Sequence, residues 1–280
     1  MLISLIIPTY GRTSELAELL ESLKCQAYKN FEVLIVDQND SINIDNIIRN
    51  YHASLNIKHI KSSRKGIAVN KNIGIKHSSG TLITFPDDDC KYYPETLQSA
   101  FNYSQKNKTV DLFYGRVYDT EQKINIMRNW AYSDIKLGKF NFHNNYSAIT
   151  CFSRNKKLVF DENFGVGSKY GCGEEFDYIM QALNLGMNVR YTPEISMWHP
   201  KLDINVMNDE KVFYYAKGYG AVFRKNLNFV YGFLFFSSLC YQLAQMTISL
   251  FKTDLNTFRK RRIAFKGRIV GFFTFTGNPN

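Results

Sequence analysis

The stretch Gly80-Thr-Leu-Ile-Thr-Phe-Pro-Asp-Asp-Asp-Cys90 joins a strand-forming segment to three consecutive aspartates. Its apolar run at 82–85 predicts a buried strand, and three consecutive carboxylates follow where that strand ends. Oxygen ligands on a stiff support are what a magnesium or manganese ion requires. Because alternate residues of a strand share a face, Asp87 and Asp89 could bind one ion while Asp88 points away. Taken alone, the stretch fits an acidic turn without an ion equally well.

Strands and helices alternate along the first part of the chain. Such alternation is typical of an α/β fold with a mostly parallel sheet and crossover helices on its faces. Ligands of these sheets bind beyond the carboxyl ends of the strands, so the polar groups at 9–12, 37–40 and 87–89 are expected to line one crevice. The predicted strands are 3–7 (ended by Pro8), 31–36, 57–60 and 82–85, and the predicted helices are 14–23, 45–51 and 66–77.

The pattern changes after residue 94. Residues 161–173 are rich in glycine and are expected to form a loop, which a helix at 174–185 follows. Gly186 is expected to end that helix, because glycine readily adopts the left-handed conformation. The remaining predicted elements are a helix at 95–106 and strands at 111–117, 146–152 and 187–191.

Composition excludes several classes of protein. The 280 residues are 45% hydrophobic and 15% aromatic, which supports a sizeable core and excludes a disordered chain. The net charge of +10 indicates an anionic partner, such as a phosphorylated ligand, nucleic acid or acidic lipid. Five scattered cysteines without a CxxC pair form neither a disulfide framework nor a zinc site, and they fit a reducing cytosol. The apolar start, Met1–Pro8, is too short and too uncharged for a signal peptide and predicts a strand.

Five ordered motifs are characteristic of a known family. They are Ile6-Ile-Pro-Thr-Tyr-Gly-Arg12, Val33-Leu-Ile-Val-Asp-Gln-Asn-Asp40, Lys65-Gly-Ile-Ala-Val-Asn-Lys-Asn-Ile-Gly74, Phe85-Pro-Asp-Asp-Asp-Cys90 and Gly173-Glu-Glu-Phe-Asp177. With these motifs, the chain resembles glycosyltransferase family 2 over about residues 3–200. The family's members are inverting sugar-nucleotide transferases with the Rossmann-like GT-A fold. The resemblance implies a GT-A domain at 1–200, with a nucleotide-binding half at 1–93 and an acceptor-binding half at 94–200, followed by a helical extension at 201–280.

The resemblance implies a nucleotide-sugar donor site at the ends of the first strands. Asp37 would accept a hydrogen bond from the nucleobase or the ribose, with Thr9 and Arg12 lining the same pocket. Asp40 would take the place of the family's usual second acid. Residues 38–39 (Gln-Asn) depart from the family's usual Asp-Gly-Ser, which leaves the identity of the base open. The alternative for Asp37 is a turn residue that caps the strand.

A second part of the donor site is implied at the start of the helix 66–77. Gly66 would let the backbone approach a ligand closely. Lys71 stands where the family commonly has arginine, so it would contact phosphate as a point charge; an ordinary amphipathic helix with exposed lysines is the alternative. The full set of implied nucleotide-sugar-binding residues is Pro8, Thr9, Arg12, Asp37, Asp40, Lys65, Gly66, Asn70, Lys71, Asp87 and Asp88.

The donor's diphosphate explains the acidic cluster (Asp87, Asp88 and Asp89). A divalent cation between phosphates and carboxylates removes their repulsion, and it stabilises the leaving nucleoside diphosphate as a Lewis acid. The resemblance implies Mn²⁺ or Mg²⁺ bound by Asp89, with Asp87 as the second ligand. His199 resembles a late histidine that completes the metal shell in many GT-A enzymes. A structural histidine before proline is the alternative.

Inverting transfer also needs a base that deprotonates the acceptor hydroxyl. Glu174, Glu175 and Asp177 are the candidates, and at helical spacing Glu174 and Asp177 share a face from which Glu175 is offset. By its position in the family motif, Glu175 is the expected base. The alternative is that acids gather at this helix start because the macrodipole favours them there.

The stretch Leu227–Phe251 has no charged residue and meets the length criterion for a membrane span. Basic residues flank it on both sides, at 224–225 and at 252–262, so it lacks the asymmetry of a spanning segment. We therefore expect a helix that lies on anionic lipid at the inner face of the cell membrane, in the cytoplasm. A soluble helical hairpin that caps the domain or forms a dimer is the alternative.

The sequence thus predicts an inverting, divalent-metal-dependent glycosyltransferase that adds a sugar to a glycan or lipid-linked glycan, as in O-antigen or capsule synthesis. Nucleic acid is not an expected partner. One alternative is a nucleotidyltransferase of similar fold, which would need a glycine-rich loop with a basic residue after the first strand; Pro8–Arg12 is poor in glycine. The other is a non-enzymatic basic protein that binds lipid or nucleic acid, which would not need the acidic cluster. The donor sugar, the acceptor, the linkage and the oligomeric state stay open.

Overall fold

The computed structural model of the chain describes residues 1–201 and 206–277, which form two compact units. Unit 1 contains residues 1–65, 69–159 and 182–201. Unit 2 contains residues 66–68, 160–181 and the described residues after 201. The domain boundaries expected at residues 93 and 200 stay predictions, and the parts of the expected extension at 202–205 and 278–280 lie outside the described residues.

Unit 1 is built on a mixed β-sheet, which has ten strands among the described residues. The strands are β1 (Ile3–Thr9), β2 (Phe31–Asp37), β3 (Ile57–Lys61), β4 (Leu82–Thr84), β5 (Lys91–Tyr92), β6 (Leu112–Asp119), β7 (Ile124–Asn125), β8 (Ile135–Lys136), β9 (Cys151–Ser153) and β10 (Val189–Trp198). Their order across the sheet is β3-β2-β1-β4-β9-β6-β10-β5, with β7 paired to β6 and β8 paired to β10. This sheet confirms the predicted α/β class.

The first half of the sheet is parallel, as the alternation of strands and helices predicts. β1 pairs in parallel with β2 and with β4, and β2 pairs in parallel with β3. Every residue of β1 and β2 is buried, which explains why both strands are mostly apolar in sequence. The carboxyl ends of these strands therefore face the same edge of the sheet.

Pro8 does not end the first strand, contrary to the sequence prediction, because β1 continues to Thr9. The carbonyl oxygen of Thr9 accepts a hydrogen bond from the backbone N–H of Gln38, on the β2 side. Since the peptide groups of successive strand residues point to opposite sides, the nitrogen of Pro8 faces the β4 side. The β1–β4 pairing already ends at Leu5, so the missing N–H of proline costs no hydrogen bond of the sheet.

Antiparallel pairs enter the sheet in its second half. β9 is antiparallel to both β4 and β6, whereas β6 and β10 are parallel to each other. The strand predicted at 146–152 is shorter than expected: Ala148–Thr150 form a 3₁₀ turn and β9 begins at Cys151. β10 in turn runs past its predicted end at 191, because its later residues still pair with β5 and β6.

Eight α-helices occur among the described residues. They are α1 (Ser14–Lys24), α2 (Asp45–Arg49), α3 (Ile67–His77), α4 (Thr96–Lys106), α5 (Glu174–Asn184), α6 (Asp209–Lys225), α7 (Phe229–Phe251) and α8 (Leu255–Thr274). α1 buries leucines at helical spacing, as a helix that covers a sheet should. The predicted end of α5 is confirmed, since Gly186 has a φ of +72°, which glycine adopts without steric cost.

The three C-terminal helices of unit 2 pack on one another. α8 lies along both α6 and α7. A Cβ atom on Gly220 of α6 would overlap the backbone carbonyl group of Arg268 on α8, so glycine permits the close approach of these two helices. Each of the three helices is capped at its start by a side-chain oxygen that accepts a hydrogen bond from a backbone N–H group of the first turn. The capping residues are Asn208, Asn228 and Asp254.

Candidate active site

Three loops of unit 1 are joined at the carboxyl edge of the parallel strands. The backbone N–H of Gln38 donates to the carbonyl oxygen of Thr9 at 3.1 Å, and the N–H of Gly11 donates to Asn39 Oδ1 at 2.7 Å. These bonds connect the loop after β1 with the loop after β2. The Thr9 hydroxyl donates to Asp88 Oδ2 at 2.8 Å, which adds the loop after β4. The structure thus brings the three polar motifs together, as the parallel sheet predicts.

Asp88 is held by protein groups on both of its carboxylate oxygens. Arg12 donates to Asp88 Oδ1 at 2.7 Å and also lies 2.7 Å from Asp89 Oδ2, while Thr9 binds the second oxygen of Asp88. Burial raises the pKa of Asp88, although Arg12 and Thr9 favour its ionised form. The other two acids of the cluster are therefore the pair that is placed to bind an ion.

Asp87, Asp89 and His199 form a compact group of ligand atoms that all lie within 4.8 Å of one another. Nε2 of His199 lies 3.4 Å from Asp89 Oδ1 and 3.9 Å from Asp87 Oδ2. Its Nδ1 lies 2.7 Å from the carbonyl oxygen of Pro200, which can only accept and so holds the proton on Nδ1. In the neutral imidazole, Nε2 then carries the lone pair and directs it toward the carboxylates. These are the three residues that the sequence predicts as metal ligands.

The charges of this group act on one another. Burial raises the pKa of Asp87 to about 6, against the positive charges of Lys71 and His199. Burial lowers the pKa of His199, but the hydrogen bond to Asp89 and the charges of both aspartates raise it above its ordinary value. Burial likewise opposes ionisation of Asp89, yet His199 and Arg12 hold its pKa below its usual range. Such a set can exchange protons for a divalent cation.

Asp37 lies fully buried at the end of β2. Its Oδ1 accepts hydrogen bonds from the backbone N–H and the side-chain amide of Asn39, at 2.9 and 2.8 Å. Its Oδ2 accepts from His59 Nε2 at 2.9 Å and from Lys61 Nζ at 2.6 Å. Burial raises the pKa of Asp37, but these hydrogen bonds outweigh burial and lower it below its usual value.

His59 and Lys61 were missed by the sequence reasoning. They belong to β3, where residues two apart share a face, so both side chains reach Asp37 on the neighbouring β2. The signal that could have identified them is the spacing of His59 and Lys61, two residues apart in a predicted strand.

Further predicted donor-site residues of unit 1 surround the loop after β2. Lys65 Nζ forms an ion pair with Asp40 Oδ2 at 2.7 Å and hydrogen-bonds the carbonyl oxygen of Gln38. Asn70 donates to Gln38 Oε1 at 3.0 Å. Lys71 is only 1% exposed, so α3 is not an ordinary surface helix with solvated lysines at this position.

The remaining predicted residues, Gly66, Glu174, Glu175 and Asp177, belong to unit 2. Gly66 directly precedes α3, and the three acids lie in the first turn of α5. Asp177 is fully buried and forms an ion pair with Lys225 at 2.8 Å. The two glutamates are partly buried. Asp177 is thus the acid of this helix start that protein encloses.

α7 is the helix among residues 1–201 and 206–277 that is long and apolar enough to cross a membrane, judged by length and composition. It has 23 residues and a mean hydropathy of 1.3, and only 17% of its apolar window is buried. A core helix of a soluble protein would be mostly buried. Its large exposed phenylalanines are Phe229, Phe233, Phe236 and Phe251.

Comparison with known proteins places the sequence in a family. Residues 4–167 match the family described as Glycosyl transferase family 2. An uncharacterised glycosyltransferase of Haemophilus influenzae is 31% identical over 114 residues, which cover 40% of this chain and 38% of that protein. The poly(ribitol-phosphate) beta-N-acetylglucosaminyltransferase TarP of Staphylococcus aureus is 26% identical over 200 residues, which cover 68% of this chain and 61% of that protein. The chain thus spans less than two thirds of the length of each of these relatives.

Solved structures with the same fold cover nearly the whole chain. TarS 1–349 of S. aureus, in complex with UDP-GlcNAc, matches with a TM-score of 0.62 at 15% identity, over 95% of this chain and 92% of that one. The mannosyltransferase PcManGT of Pyrobaculum calidifontis, in complex with GDP-Man and Mn²⁺, matches with a TM-score of 0.66 at 14% identity, over 98% and 88%. At these identities the likeness shows the fold, which is the predicted GT-A fold.

Proposed function

The chain belongs to glycosyltransferase family 2, and from this premise we propose that it transfers one sugar from a nucleotide-sugar donor to a hydroxyl group of a glycan acceptor, with inversion. The observation that carries the proposal is the group of Asp87, Asp89 and His199 at the carboxyl edge of the sheet, where ligands of such sheets bind. The family match favours a glycosyltransferase over both alternatives, the nucleotidyltransferase and the non-enzymatic binding protein.

The residues of this group fit a divalent cation. Asp89 and Asp87 offer hard oxygen ligands and His199 offers an imidazole nitrogen, a donor set that suits Mn²⁺ and, less closely, Mg²⁺. The carbonyl oxygen of Pro200 orients the imidazole in the way that outer partners of metal-bound histidines do. When bound, the ion would neutralise the donor's diphosphate and favour its departure as a Lewis acid. The Mn²⁺ in the PcManGT complex supports this assignment.

Arg12 is proposed to contact the diphosphate while it holds Asp88. Its guanidinium has five N–H donors, and the side chain keeps 40% of its surface exposed although it reaches Asp88 and Asp89. An exposed guanidinium next to a cation site can bind phosphate oxygens in a bidentate manner. Lys71 adds a buried positive charge near Asp87.

Asp37 is proposed to bind the nucleobase or the ribose, with a change in its present partners. Both of its oxygens already accept hydrogen bonds, so a donor group must share or displace one of them. Lys61 is the partner that can move most freely, because 55% of its side chain is exposed, against 19% for His59. The solved relatives with this fold bind UDP-GlcNAc, UDP and GDP-Man, so both uridine and guanosine donors belong in the test.

Glu175 is proposed as the general base, with Glu174 as the second candidate. A base must come within hydrogen-bond reach of the acceptor hydroxyl, directly or through one water. Asp177, the third acid that the sequence left open, is fully buried and accepts hydrogen bonds from Lys225, Asn226 and Gln181. We therefore assign Asp177 to the support of the helix and not to proton transfer.

The acceptor is proposed to be a surface or cell-wall glycan polymer, the class that includes O-antigen and capsule. TarP, whose match covers 68% of this chain, is a poly(ribitol-phosphate) beta-N-acetylglucosaminyltransferase. A phosphate-bearing polymer is anionic, and the net charge of +10 favours the approach of an anionic acceptor.

α7 is proposed to lie on the inner face of the cell membrane, where a lipid-linked acceptor would be presented to a cytoplasmic enzyme. Its exposed phenylalanines would enter the lipid interface. Basic residues on both flanks, Arg224 in the last turn of α6 and Lys252 directly after α7, would contact anionic head groups.

A donor panel tests the proposed function. The purified chain is incubated with UDP- and GDP-sugars and Mn²⁺, with and without a polymer acceptor, and the released nucleoside diphosphate is measured. We expect release from a subset of donors, loss of release in excess chelator, and loss in Asp89→Ala. Glu18→Gln, which removes an exposed ion-pair partner of Lys91, is the matched control and should keep full activity. Failure to turn over any donor would contradict the function, and full activity in chelator would contradict the metal assignment.

A further inference from the structure

A lysine side chain is buried between two aspartates in unit 2. Lys225, the last residue of α6, keeps only 5% of its side chain exposed. Its Nζ lies 2.9 Å from Asp161 Oδ2 and 2.8 Å from Asp177 Oδ2. It also lies over the ring of Phe164, 5.8 Å from the centroid. A buried ammonium group is tolerated only when it is paired and hydrogen-bonded, so these contacts fix the three segments that supply them.

Amide groups complete the surroundings of Asp177. Asn226, which follows α6, donates to Asp177 Oδ1 at 2.7 Å. Gln181, one turn further along α5, donates to Asp177 Oδ2 at 2.6 Å. Burial raises the pKa of Asp177, while Lys225 and Asn226 favour its charged form. We name these five residues, Lys225, Asp161, Asp177, Asn226 and Gln181, the Lys225 cluster.

The Lys225 cluster anchors the first turn of α5, which also carries the proposed base. The backbone N–H of Asp177 donates to the carbonyl oxygen of Gly173 at 2.8 Å, so Asp177 belongs to the same turn as Glu174 and Glu175. Glu175 lies two residues before Asp177, about 3 Å along the helix axis. Because residues of one helical turn move together, a shift of Asp177 should move Glu175 by about the same distance.

The cluster also fixes the loop that precedes α5. Asp161 accepts hydrogen bonds from the backbone N–H and the side-chain amide of Asn163, at 2.9 and 2.8 Å, and so holds the start of that loop. Further along, a Cβ atom on Gly165 would lie 3.1 Å from Oε2 of Glu174, so the loop backbone lies directly beside this glutamate. A shift of this loop should therefore also shift Glu174.

α6 packs closely against the residues that precede α5, at contacts where glycine leaves room. Gly173 has a φ of +108°, and a Cβ atom there would lie 2.5 Å from Val222 Cγ2. A Cβ atom on Gly218 would overlap the carbonyl oxygen of Cys172. Because neither position has room for a side chain, α6 contacts the residues before α5 at backbone distance.

We propose that Lys225 is a positioning residue for the general base: with Asp161 and Asp177 it sets the orientation of the turn that presents Glu174 and Glu175. This inference rests on the proposed function. Lys225 itself contacts neither donor nor acceptor in this proposal. It acts through the helix, so its loss should reduce the rate of sugar transfer without weakening donor binding.

The test is Lys225→Met, which keeps the length of the side chain and removes its charge. Assayed well below its melting temperature, the variant should lose about 100-fold in kcat for transfer, the effect of a base displaced by about 1 Å. The KM for the donor and the calorimetric affinity for the nucleoside diphosphate should be unchanged. An unchanged kcat, or a loss that appears in KM alone, would overturn the proposal.

Lys260→Met is the matched control. Lys260 of α8 is 4% exposed and pairs with Asp209 Oδ1 at 2.7 Å, so it is also a buried lysine of unit 2 with an aspartate partner. Asp209 begins α6 and Lys225 ends it, which separates the two pairs by about 24 Å at 1.5 Å per residue. Both variants should lower the melting temperature, but Lys260→Met should keep kcat. Equal loss of kcat in both would show a general structural effect and overturn the assignment.

Three further variants separate the positioning role from the proposed function. Should Lys225→Met fail to fold, Asp161→Asn removes one charge partner of Lys225 and should lower kcat about tenfold, the equivalent of one charge-assisted hydrogen bond; an unchanged kcat would overturn the proposal. Glu175→Gln and Glu174→Gln test the proposed function separately. If neither lowers transfer, the proposed base is wrong, whereas a lowered rate there with a normal rate in Lys225→Met contradicts only the positioning role.

Discussion

Two acidic triples of this chain look alike in the sequence but have different surroundings. The acidic cluster of unit 1 follows a buried strand, and Asp87 and Asp89 face the imidazole of His199 in a group of ligand atoms. The triple of unit 2, Glu174, Glu175 and Asp177, begins a helix whose macrodipole favours negative charge. One arrangement suits an ion, and the other suits carboxylates that act singly.

Each triple uses one of its acids to hold the protein together. Asp88 accepts from Thr9 and Arg12, and Asp177 accepts from Lys225 and from neighbouring amides. The two supporting acids differ in the exposure of their cationic partners. Arg12 is partly exposed and could also bind a ligand, whereas Lys225 is buried among protein groups. We therefore expect the acids of each triple to differ in role, with Asp88 and Asp177 as supports and the other acids as candidates for ion binding and for the base.

We expect the largest loss of activity from a substitution of Asp89. Asp89→Ala removes an oxygen ligand from the proposed ion site, and we expect a loss of about 1000-fold in kcat/KM, in line with several kcal/mol of charge stabilisation. Release of nucleoside diphosphate at saturating Mn²⁺ measures the loss. A variant with near-normal activity would show that the acidic cluster is a structural turn.

In the triple of unit 2, substitution of Glu175 should cause the next largest loss of activity. Glu175→Gln keeps the shape of the side chain and removes its basicity, so kcat for transfer should fall by about 100-fold or more while donor affinity is retained. Calorimetry with the nucleoside diphosphate provides the second readout. Should turnover persist, the same measurement on Glu174→Gln decides which glutamate is the base.

Asp177 and Asp88, the acids that we assign to support, should affect the free energy of unfolding to different extents. Asp177→Asn weakens a buried ion pair and should cost about 3 kcal/mol of unfolding free energy. Asp88→Asn, whose partner Arg12 is partly exposed, should cost about 1 kcal/mol. Urea unfolding measures both, with Glu18→Gln as a surface control near zero. The reverse order would contradict the proposed division of roles.

α7 should have the smallest effect on the chemical step. Replacing Phe233 and Phe236 by Asp should abolish sedimentation with vesicles of anionic lipid, because both rings are more than half exposed and would have to enter the lipid interface. Turnover of a water-soluble acceptor should stay within about twofold of the parent. Undiminished vesicle binding would remove α7 from the membrane proposal.

The sequence predicted the parallel half of the sheet in unit 1 and the meeting of polar residues at its carboxyl edge, for physical reasons. Mostly apolar runs such as 31–36 identify strands buried on both faces, and the polar residues just after them lie at the edge where ligands of such sheets bind. The exceptions are local: the peptide group of Pro8 faces a side without sheet pairing, and β9 begins later than expected.

Long-range pairing is what the sequence could not supply. Lys225 is a basic residue at a helix end, which usually means a solvated charge near the carboxyl end of the dipole. Its burial between Asp161 and Asp177 depends on contacts 48 or more residues away in the chain, and no local pattern encodes them. His59 and Lys61, by contrast, follow from strand alternation once β3 is placed beside β2.

We expect Asp87, Asp89 and His199 to bind a divalent cation that holds the donor's diphosphate. Calorimetric titration of UDP and of GDP, in Mn²⁺ and in excess EDTA, tests it most directly, with Asp89→Ala measured beside the parent chain. We predict binding of at least one nucleotide in Mn²⁺, and an affinity about 100-fold weaker both in EDTA and in the variant. The same Kd in Mn²⁺, in EDTA and in Asp89→Ala would contradict the claim.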